Sequence, residues 1–292
     1  MQIDIVIINY NATSFLLDCL SSIYQAMEAN RGFRIFVFDN ASADQVSRIK
    51  RRFPDVTLVC SQTNVGFSKA VNHAVGLGHA PYVLILNPDT CIRKSFFAPI
   101  IRYMEAHPEV GILGPKIFDG RGRVQGSART FPTAGTALFG RSALLSRLFP
   151  NNRYTAKQIL AKGDRVEQPM DVDWVSGACM MVRRNAIESV GMLDENFFMY
   201  WEDADWCRRM RQNQWRVVYF PQCALIHYTG VSSRKNSIQA NFEFHKSAYY
   251  LYCKSVGNSN RRFLKGFVFS ALLMRAYIKL MIIMAADLKR IR

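Results

Sequence analysis

The sequence has seven cysteines but no C-x-x-C pair and no Cys/His cluster of zinc-finger spacing, which excludes a structural zinc module. The odd set, at positions 19, 60, 91, 179, 207, 223 and 253, lies mostly beside apolar residues and reads as buried free thiols in a reducing compartment. No G-x-G-x-x-G follows the first apolar run, which leads instead into Asn9-Tyr10-Asn11-Ala12-Thr13-Ser14, and this argues against a dinucleotide-dependent dehydrogenase. There is no internal repeat, no low-complexity tract and no helix-turn-helix, RRM or zinc signature. Met1 to Tyr10 has no basic leader, and its apolar run is too short for a signal peptide, so a cytosolic protein is expected. Acidic residues are scarce, 22 against 38 Lys and Arg, for a net charge of +16. The shortage is local: residues 231–292 hold 2 acidic and 12 basic residues, whereas residues 1–230 hold 20 and 26. A basic tail of this kind seeks an anionic surface, either a membrane or a nucleic acid.

What is present is a chain of 292 residues, 49% hydrophobic and 21% charged, a globular balance with enough length for a substantial core. Strands are predicted at Ile3–Tyr10, Arg34–Phe38, Val56–Cys60 and Tyr82–Leu86, with helices at Ser14–Met27, Asp44–Phe53 and Ser68–Val75. Each strand is apolar throughout, the pattern of a mostly parallel α/β sheet covered on both faces. A helix over Phe96–Ala106 and a strand over Val110–Phe118 follow. Residues 119–170, rich in Gly, Arg, Ser and Pro, read as a long mobile insertion with some helix near 141–148. Order is expected again over Val172–Val182, then helices over Arg184–Val190 and Trp201–Gln212 and a strand over Arg216–Phe220.

Polar residues collect where strands end, at Asn9-Tyr10-Asn11, Asp39-Asn40 and Asn87-Pro88-Asp89, and open α/β sheets bind ligands outside those carboxyl ends. Asp89, past a buried strand and held by Pro88, suits a hard cation, although the same residues make a plain turn. Asp39 suits a base imide N–H, whereas Ser42 or Asp44 equally suits a helix N-cap. Asn64-Val65-Gly66-Phe67 offers close backbone approach to a ligand or simply a turn. Phe198-Met199-Tyr200-Trp201-Glu202-Asp203-Ala204-Asp205-Trp206 crowds three acids among aromatics. Acids in a first helical turn complement the dipole, and Asp205 can pair with Arg209, but an apolar setting also raises a carboxylate pKa toward general-base work. His227 closes an apolar stretch as a structural residue or a metal ligand.

In order and spacing, these segments, together with Val175-Ser176-Gly177-Ala178, resemble the inverting family 2 glycosyltransferases of GT-A fold, most closely their bacterial rhamnosyltransferase branch, over about residues 3–230. The resemblance implies a nucleotide-sugar site of Ile8, Asn9, Tyr10, Asp39, Asn64, Gly66, Asn87, Trp174, Ser176 and Gly177, with Asp39 on the base. It implies Mg²⁺ or Mn²⁺ on Asp89 and His227, Asp203 as catalytic base and Glu202 beside it. Asn87 stands where the family's Asp-x-Asp element has its first acid, which lowers the local negative charge. The implied donor is a dTDP- or UDP-sugar, with dTDP-L-rhamnose favoured. The implied acceptor is a lipid-linked saccharide of surface polysaccharide assembly. One base and no second nucleophile imply a single inverting displacement.

The division expected is a catalytic unit, 1–230, and a basic helical extension, 231–292. Within it, Gly266–Leu288 is nearly long enough to span a bilayer, but Arg275 and Lys279 sit in its middle at about 2.5–3.5 kcal/mol each. Arg261, Lys265, Arg275, Lys279 and Arg290 share one side of a helix, and Phe, Leu, Ile and Met the other. An interfacial helix on the cytosolic leaflet is expected, its basic side facing lipid phosphates. The alternative is a helix packed on the protein's own core or in a homodimer. Nucleic acid is not an expected partner, because the tail's apolar side has no role there. A catalytically dead sugar-nucleotide binder is disfavoured by Asp89, Asp203 and His227 standing together.

Overall fold

Strands with two apolar faces must hide both, and the computed structural model hides them between layers of helices. It describes residues 2–27, 32–131, 166–228, 237–257 and 262–291; the helix expected near 141–148, the boundary at 230/231 and Arg261 lie outside these. The first half alternates: β1 (Ile3–Asn9), α1 (Thr13–Ala26), β2 (Phe33–Asp39), α2 (Ser47–Arg52), β3 (Thr57–Cys60), α3 (Phe67–Gly76), β4 (Tyr82–Leu86). Then come β5 (Thr90–Ile92), α4 (Phe97–Ala106), β6 (Val110–Phe118), β7 (Ala128–Arg129), β8 (Met170–Asp171), β9 (Trp174–Val175) and β10 (Cys179–Arg183). The chain continues through α5 (Arg184–Val190), α6 (Glu202–Gln212), β11 (Arg216–His227), α7 (Ser237–Val256) and α8 (Arg262–Ile291).

Nine strands form one sheet in the order β3-β2-β1-β4-β10-β6-β11-β5, with β8 also on β11. β1, β2, β3 and β4 pair in parallel, as do β6 and β11, while β10 runs antiparallel between β4 and β6. The mostly parallel α/β sheet expected from the sequence is therefore present. β1 shows why its residues are all apolar. Ile3, Ile5 and Ile7 pack with Leu16, Leu20, Ile49 and Ile100 on one face. Val6 and Ile8 pack with Val71, Ile187, Trp206 and Met210 on the other. Each such side chain contributes about 1.5–3 kcal/mol by leaving water. Cys19, Cys179, Cys207 and Cys223 lie in these layers as free buried thiols, whereas Cys60 is exposed.

Two elements differ from expectation. The strand expected to end at Phe220 continues to His227, because the register shifts between Phe220 and Ala224, where Pro221 lacks an N–H for the ladder. Its far end pairs with β5, three residues too short to show a periodicity: Leu225 faces Ile92, Ile226 faces Cys91, and His227 faces Thr90. The expected insertion over 119–170 also contributes to the fold, since β7 pairs with β9.

The extension begins by docking. In α7, Leu251 is buried, Ser247 donates to the Met199 carbonyl (2.9 Å), and Tyr250 donates to Asp194 (3.0 Å). Lys254 bridges Asp194 (2.7 Å) and the buried Asp205 (2.8 Å), which also holds Arg209. Burial alone would raise Asp194, but the Lys254 and Asn196 donors outweigh it and hold the carboxyl at about 2. α8 packs on α7 through Asn241, which donates to the Ala276 carbonyl (2.9 Å), and through the Tyr249–Phe269 ring contact.

The basic side of α8 does not face outward as expected. Arg275 and Lys279 lie 5.8 and 5.2 Å from the Phe244 ring centroid on α7. Cation–π attraction and the i, i+4 spacing turn them inward, so the apolar side is the one exposed. Phe267, Leu273, Met274 and Tyr277 are each more than half exposed. Over Phe263–Ala285 the helix is long and apolar enough to cross a membrane, with mean hydropathy 1.9.

Lys254→Ala should destabilise the protein by about 1–3 kcal/mol in urea titrations at pH 7, since hydrogen bonds to charged groups are lost. Asp194 has a depressed value when folded, so its contribution is present above the ordinary carboxylate range and fades as pH falls toward 2. The difference between variant and wild type should narrow over that window.

Candidate active site

β1 has β2 on one side and β4 on the other, so successive connections leave in opposite directions and a crevice opens at the strands' carboxyl ends. The loops at its rim are tied to one another. Asn9 Nδ2 donates to Asp39 Oδ1 (2.7 Å), Thr13 Oγ1 (3.2 Å) and Ser42 Oγ (3.1 Å). Ser42 N–H donates to Asp39 Oδ2 (3.0 Å), and Asp44 accepts from the Thr13 amide and hydroxyl (2.8 and 2.7 Å). Asp44 thus satisfies the start of α1, across the crevice, and makes no side-chain cap on α2. Asn40 joins the next loop, donating to Asn64 Oδ1 (2.8 Å) and accepting from the Val65 amide (2.8 Å).

At the end of β4 the chain turns through Asn87-Pro88-Asp89 into β5, and β5 pairs with the end of β11. This brings residues 138 positions apart together: His227 Nε2 lies 3.2 Å from Asp89 Oδ1 and 3.4 Å from Asn87 Nδ2. Asp89 is 7% and His227 9% exposed. The donor set fits a hard divalent cation. A carboxylate oxygen and an imidazole nitrogen about 3 Å apart span the edge of an octahedron built on bonds of about 2.1 Å. Among the described residues no third His, Cys, Asp or Glu completes a protein-only site. Further ligands must come from a substrate or water, as is usual where magnesium sits on phosphates.

The carboxylates that face this pair sit on a strained turn. Tyr200 and Trp201 have φ of 70° and 69°, a left-handed pair costing about 1–3 kcal/mol each. The turn is braced by the Phe67 N–H on the Phe198 carbonyl (2.6 Å), by Ser247 on Met199, and by Phe244 against both the Tyr200 and Trp201 rings. Gly66 (φ 87°) permits this approach, since a Cβ there would lie 2.8 Å from the Phe198 carbonyl oxygen. The close contact foreseen for this glycine is therefore with the protein's own backbone.

From that turn α6 starts with Glu202 and Asp203 side by side. Asp203 accepts from the Gly177 amide (2.9 Å, Oδ2) and the Ala204 amide (2.8 Å, Oδ1). Glu202 is 7% exposed, and its Oε2 has no hydrogen-bond partner. Burial, then the Asp203 charge, pushes Glu202 up to about 8. Burial raises Asp203 too, but the Gly177 and Ala204 amides and the Arg129 charge oppose it. The two amides on Asp203, against the unpartnered Glu202 Oε2, favour the proton on Glu202 and the charge on Asp203, the direction a base at position 203 needs.

One cavity of about 470 Å³ is lined by Asp89, His227, Glu202 and Asp203 together with Ile8, Tyr10, Asn64, Gly66, Asn87, Ser176 and Gly177. The sequence-predicted residues outside its lining are Asn9, Asp39 and Trp174. Asn9 and Asp39 stand one residue behind the lining residues Ile8, Tyr10 and Asn40 as internal braces, and Trp174 stacks under the Arg129 guanidinium (4.9 Å). Asn40, Phe198, Met199 and Tyr200, which the sequence placed within candidate segments but gave no role of their own, also line the cavity. Sequence reasoning missed Gln239 and Ala240, which α7 adds to the wall, and nothing in their local pattern marks them.

Comparison with known proteins agrees with this geometry. The sequence model described as "Glycosyltransferase like family 2" matches residues 2–242. An N-acetylglucosaminyl-diphospho-decaprenol L-rhamnosyltransferase of Mycobacterium tuberculosis is 30% identical over 84% of this chain and 82% of its own. Rhamnosyltransferase WbbL of Escherichia coli is 25% identical over 79% of this chain and 86% of its own. Among solved structures, S. aureus TarS (residues 1–349) matches with TM-score 0.59 at 16% identity, over 95% of this chain and 72% of that one. Mannosyltransferase PcManGT of Pyrobaculum calidifontis, in complex with GDP-Man and Mn²⁺, matches with TM-score 0.58 at 15% identity, over 98% and 75%. With a family match over most of its length and rhamnosyltransferases among its relatives, the chain belongs to glycosyltransferase family 2, in the rhamnosyltransferase-like branch, and is a nucleotide-sugar-dependent glycosyltransferase of glycan synthesis.

Proposed function

We propose that the enzyme transfers L-rhamnose from dTDP-rhamnose, with inversion, to a hydroxyl of a lipid-linked saccharide at the cytosolic face of the membrane. The observation that carries this reading is the convergence of Asp89, His227 and Asp203 on one cavity. The relatives' names support the sugar and the lipid-linked acceptor. Residues 1–230 are the catalytic unit in this reading, and 231–292 hold it at the bilayer.

The residues divide the work by charge. Asp89 and His227 are the groups that would hold Mg²⁺ or Mn²⁺, and a cation bound there supplies positive charge to the departing diphosphate. Asp203 takes the proton of the acceptor hydroxyl as that oxygen attacks the anomeric carbon from the face opposite the leaving group. Glu202, protonated, is not a second base or nucleophile, so one displacement suffices. The left-handed turn fixes the base before substrate arrives, which lowers the reorganisation needed in the transition state. The outward apolar side of α8 seats in the boundary between lipid headgroups and acyl chains, and the surplus of basic residues in the extension favours an anionic leaflet.

Asp203→Asn should lower kcat by about 10²–10⁴-fold while dTDP-rhamnose binding, measured calorimetrically, stays near wild type. In the wild type kcat should rise with pH through an apparent pKa above the ordinary aspartate range, because burial raises the base and only its ionised form works. Retention of most turnover by Asp203→Asn identifies the wrong base. Mn²⁺ should bind far more tightly with dTDP present than alone, and Asp89→Ala should abolish that difference; equal binding with and without nucleotide contradicts a shared site. Deleting 260–292, or placing Glu at both Leu273 and Tyr277, should move the protein from anionic vesicles to the soluble fraction in flotation assays. Arg275→Gln should not. Flotation unchanged by the outward charges, or dimers that dissociate on introducing them, excludes the bilayer as what covers this face.

A further inference from the structure

Gln125 lies on the far side of His227 from the cavity centre, in a segment whose composition marks it only as loop. The hairpin that delivers it is tightly built. Asp119 accepts from the amides of Arg121 and Arg123 (both 2.9 Å), Phe118 bridges to Val124, and the Gln125 amide donates to the Ile117 carbonyl (2.8 Å). From this base the side chain meets His227 twice. Gln125 Nε2 donates to the His227 carbonyl (3.0 Å), and Oε1 lies 3.3 Å from His227 Nδ1.

The chemistry settles both orientations. Only the NH₂ end of the amide can satisfy a backbone carbonyl; the reverse rotamer would set two acceptors against each other. Oε1 therefore faces the ring, and as an acceptor it demands a proton on Nδ1. In the neutral imidazole that leaves Nε2 bare beside Asp89 Oδ1 (3.2 Å), two acceptors that a cation between them would satisfy, and within reach of the Asn87 NH₂ (3.4 Å). A bare Nε2 is the form a metal ligand needs, and a partner on the opposite ring nitrogen is what fixes ring angle and basicity at metal sites.

We propose that Gln125 is a positioning residue: through its paired hydrogen bonds it holds His227 in the Nδ1–H tautomer and aims Nε2 at the cation position beside Asp89. The proposal rests on the metal reading above but makes a separate claim about the ring itself, and two measurements on the full chain keep them apart. The first is Mn²⁺ affinity with saturating dTDP, read by EPR. Gln125→Leu should weaken it 10–100-fold, whereas Gln125→Glu, whose carboxylate still accepts from Nδ1–H although it cannot donate to the His227 carbonyl, should lose less than Gln125→Leu. The second is ¹⁵N NMR of the histidine rings with Mg²⁺ and dTDP bound, with His227→Gln assigning the signal. It should show the Nδ1–H tautomer in wild type and a mixture in Gln125→Leu. Thermal melting of each variant identifies any that fails to fold, and Gln125→Glu then carries the test. Wild-type Mn²⁺ affinity in Gln125→Leu, a loss in Gln125→Glu equal to that in Gln125→Leu, or an Nε2–H tautomer in the wild type overturns the proposal. A wild type that binds no Mn²⁺ refutes the metal reading itself, whereas Mn²⁺ binding that Gln125→Leu leaves intact refutes the positioning role alone.

Discussion

The pairing of three residues at the end of β11 with the three of β5 is the contact on which the candidate site depends. It sets His227 against Thr90 and hence beside Asp89, so one antiparallel register joins two halves of a site that the sequence separates widely. After the register shift at Pro221, β11 resumes its pairing with β6 at Ala224 and pairs with β5 on its opposite edge from Leu225 to His227. Gln125, approaching from the hairpin after β6, closes the same corner from a third direction. Three connections with no local signal of their own thereby build one electrostatic feature.

The carboxylate pair opposite obeys a different constraint. Two acids next to each other in a dehydrated turn cannot both be charged, so their environments must decide which one is. Asp203 is given two backbone N–H groups, one of them from the glycine at 177, while Glu202 Oε2 is left with none. The division of labour follows from that unequal supply of donors. The cost is a turn in which both Tyr200 and Trp201 are left-handed. It is met by packing on Phe198, Phe244 and Ser247 rather than within the turn.

Phe244 also ties the Tyr200–Trp201 turn to the extension, because the ring that braces Trp201 is the one beneath Arg275 and Lys279. α7 is thus both a wall of the cavity, through Gln239 and Ala240, and the support for a helix whose apolar side faces out. Arg275 and Lys279, the basic residues in the middle of α8, are those that hold it against α7.

The sequence alone determined the alternating first half of the sheet and the placing of Asn87–Asp89 at a strand end. It also determined the helix expected over Trp201–Gln212, which starts one residue later at Glu202. Apolar runs and helical stripes are local, and a doubly covered sheet leaves them little freedom. It marked Asp89, Asp203 and His227 as chemically unusual, but not as neighbours. Tertiary structure decided that they meet, that Asn9 and Asp39 brace the site from behind its lining, that Gln239 and Ala240 line it while Gln125 contacts His227, and that the charged side of α8 turns inward. These follow from strand register, from which donors reach which acceptor, and from which face of a helix finds an aromatic partner. Such quantities depend on residues far apart in the chain, so no window of sequence contains them.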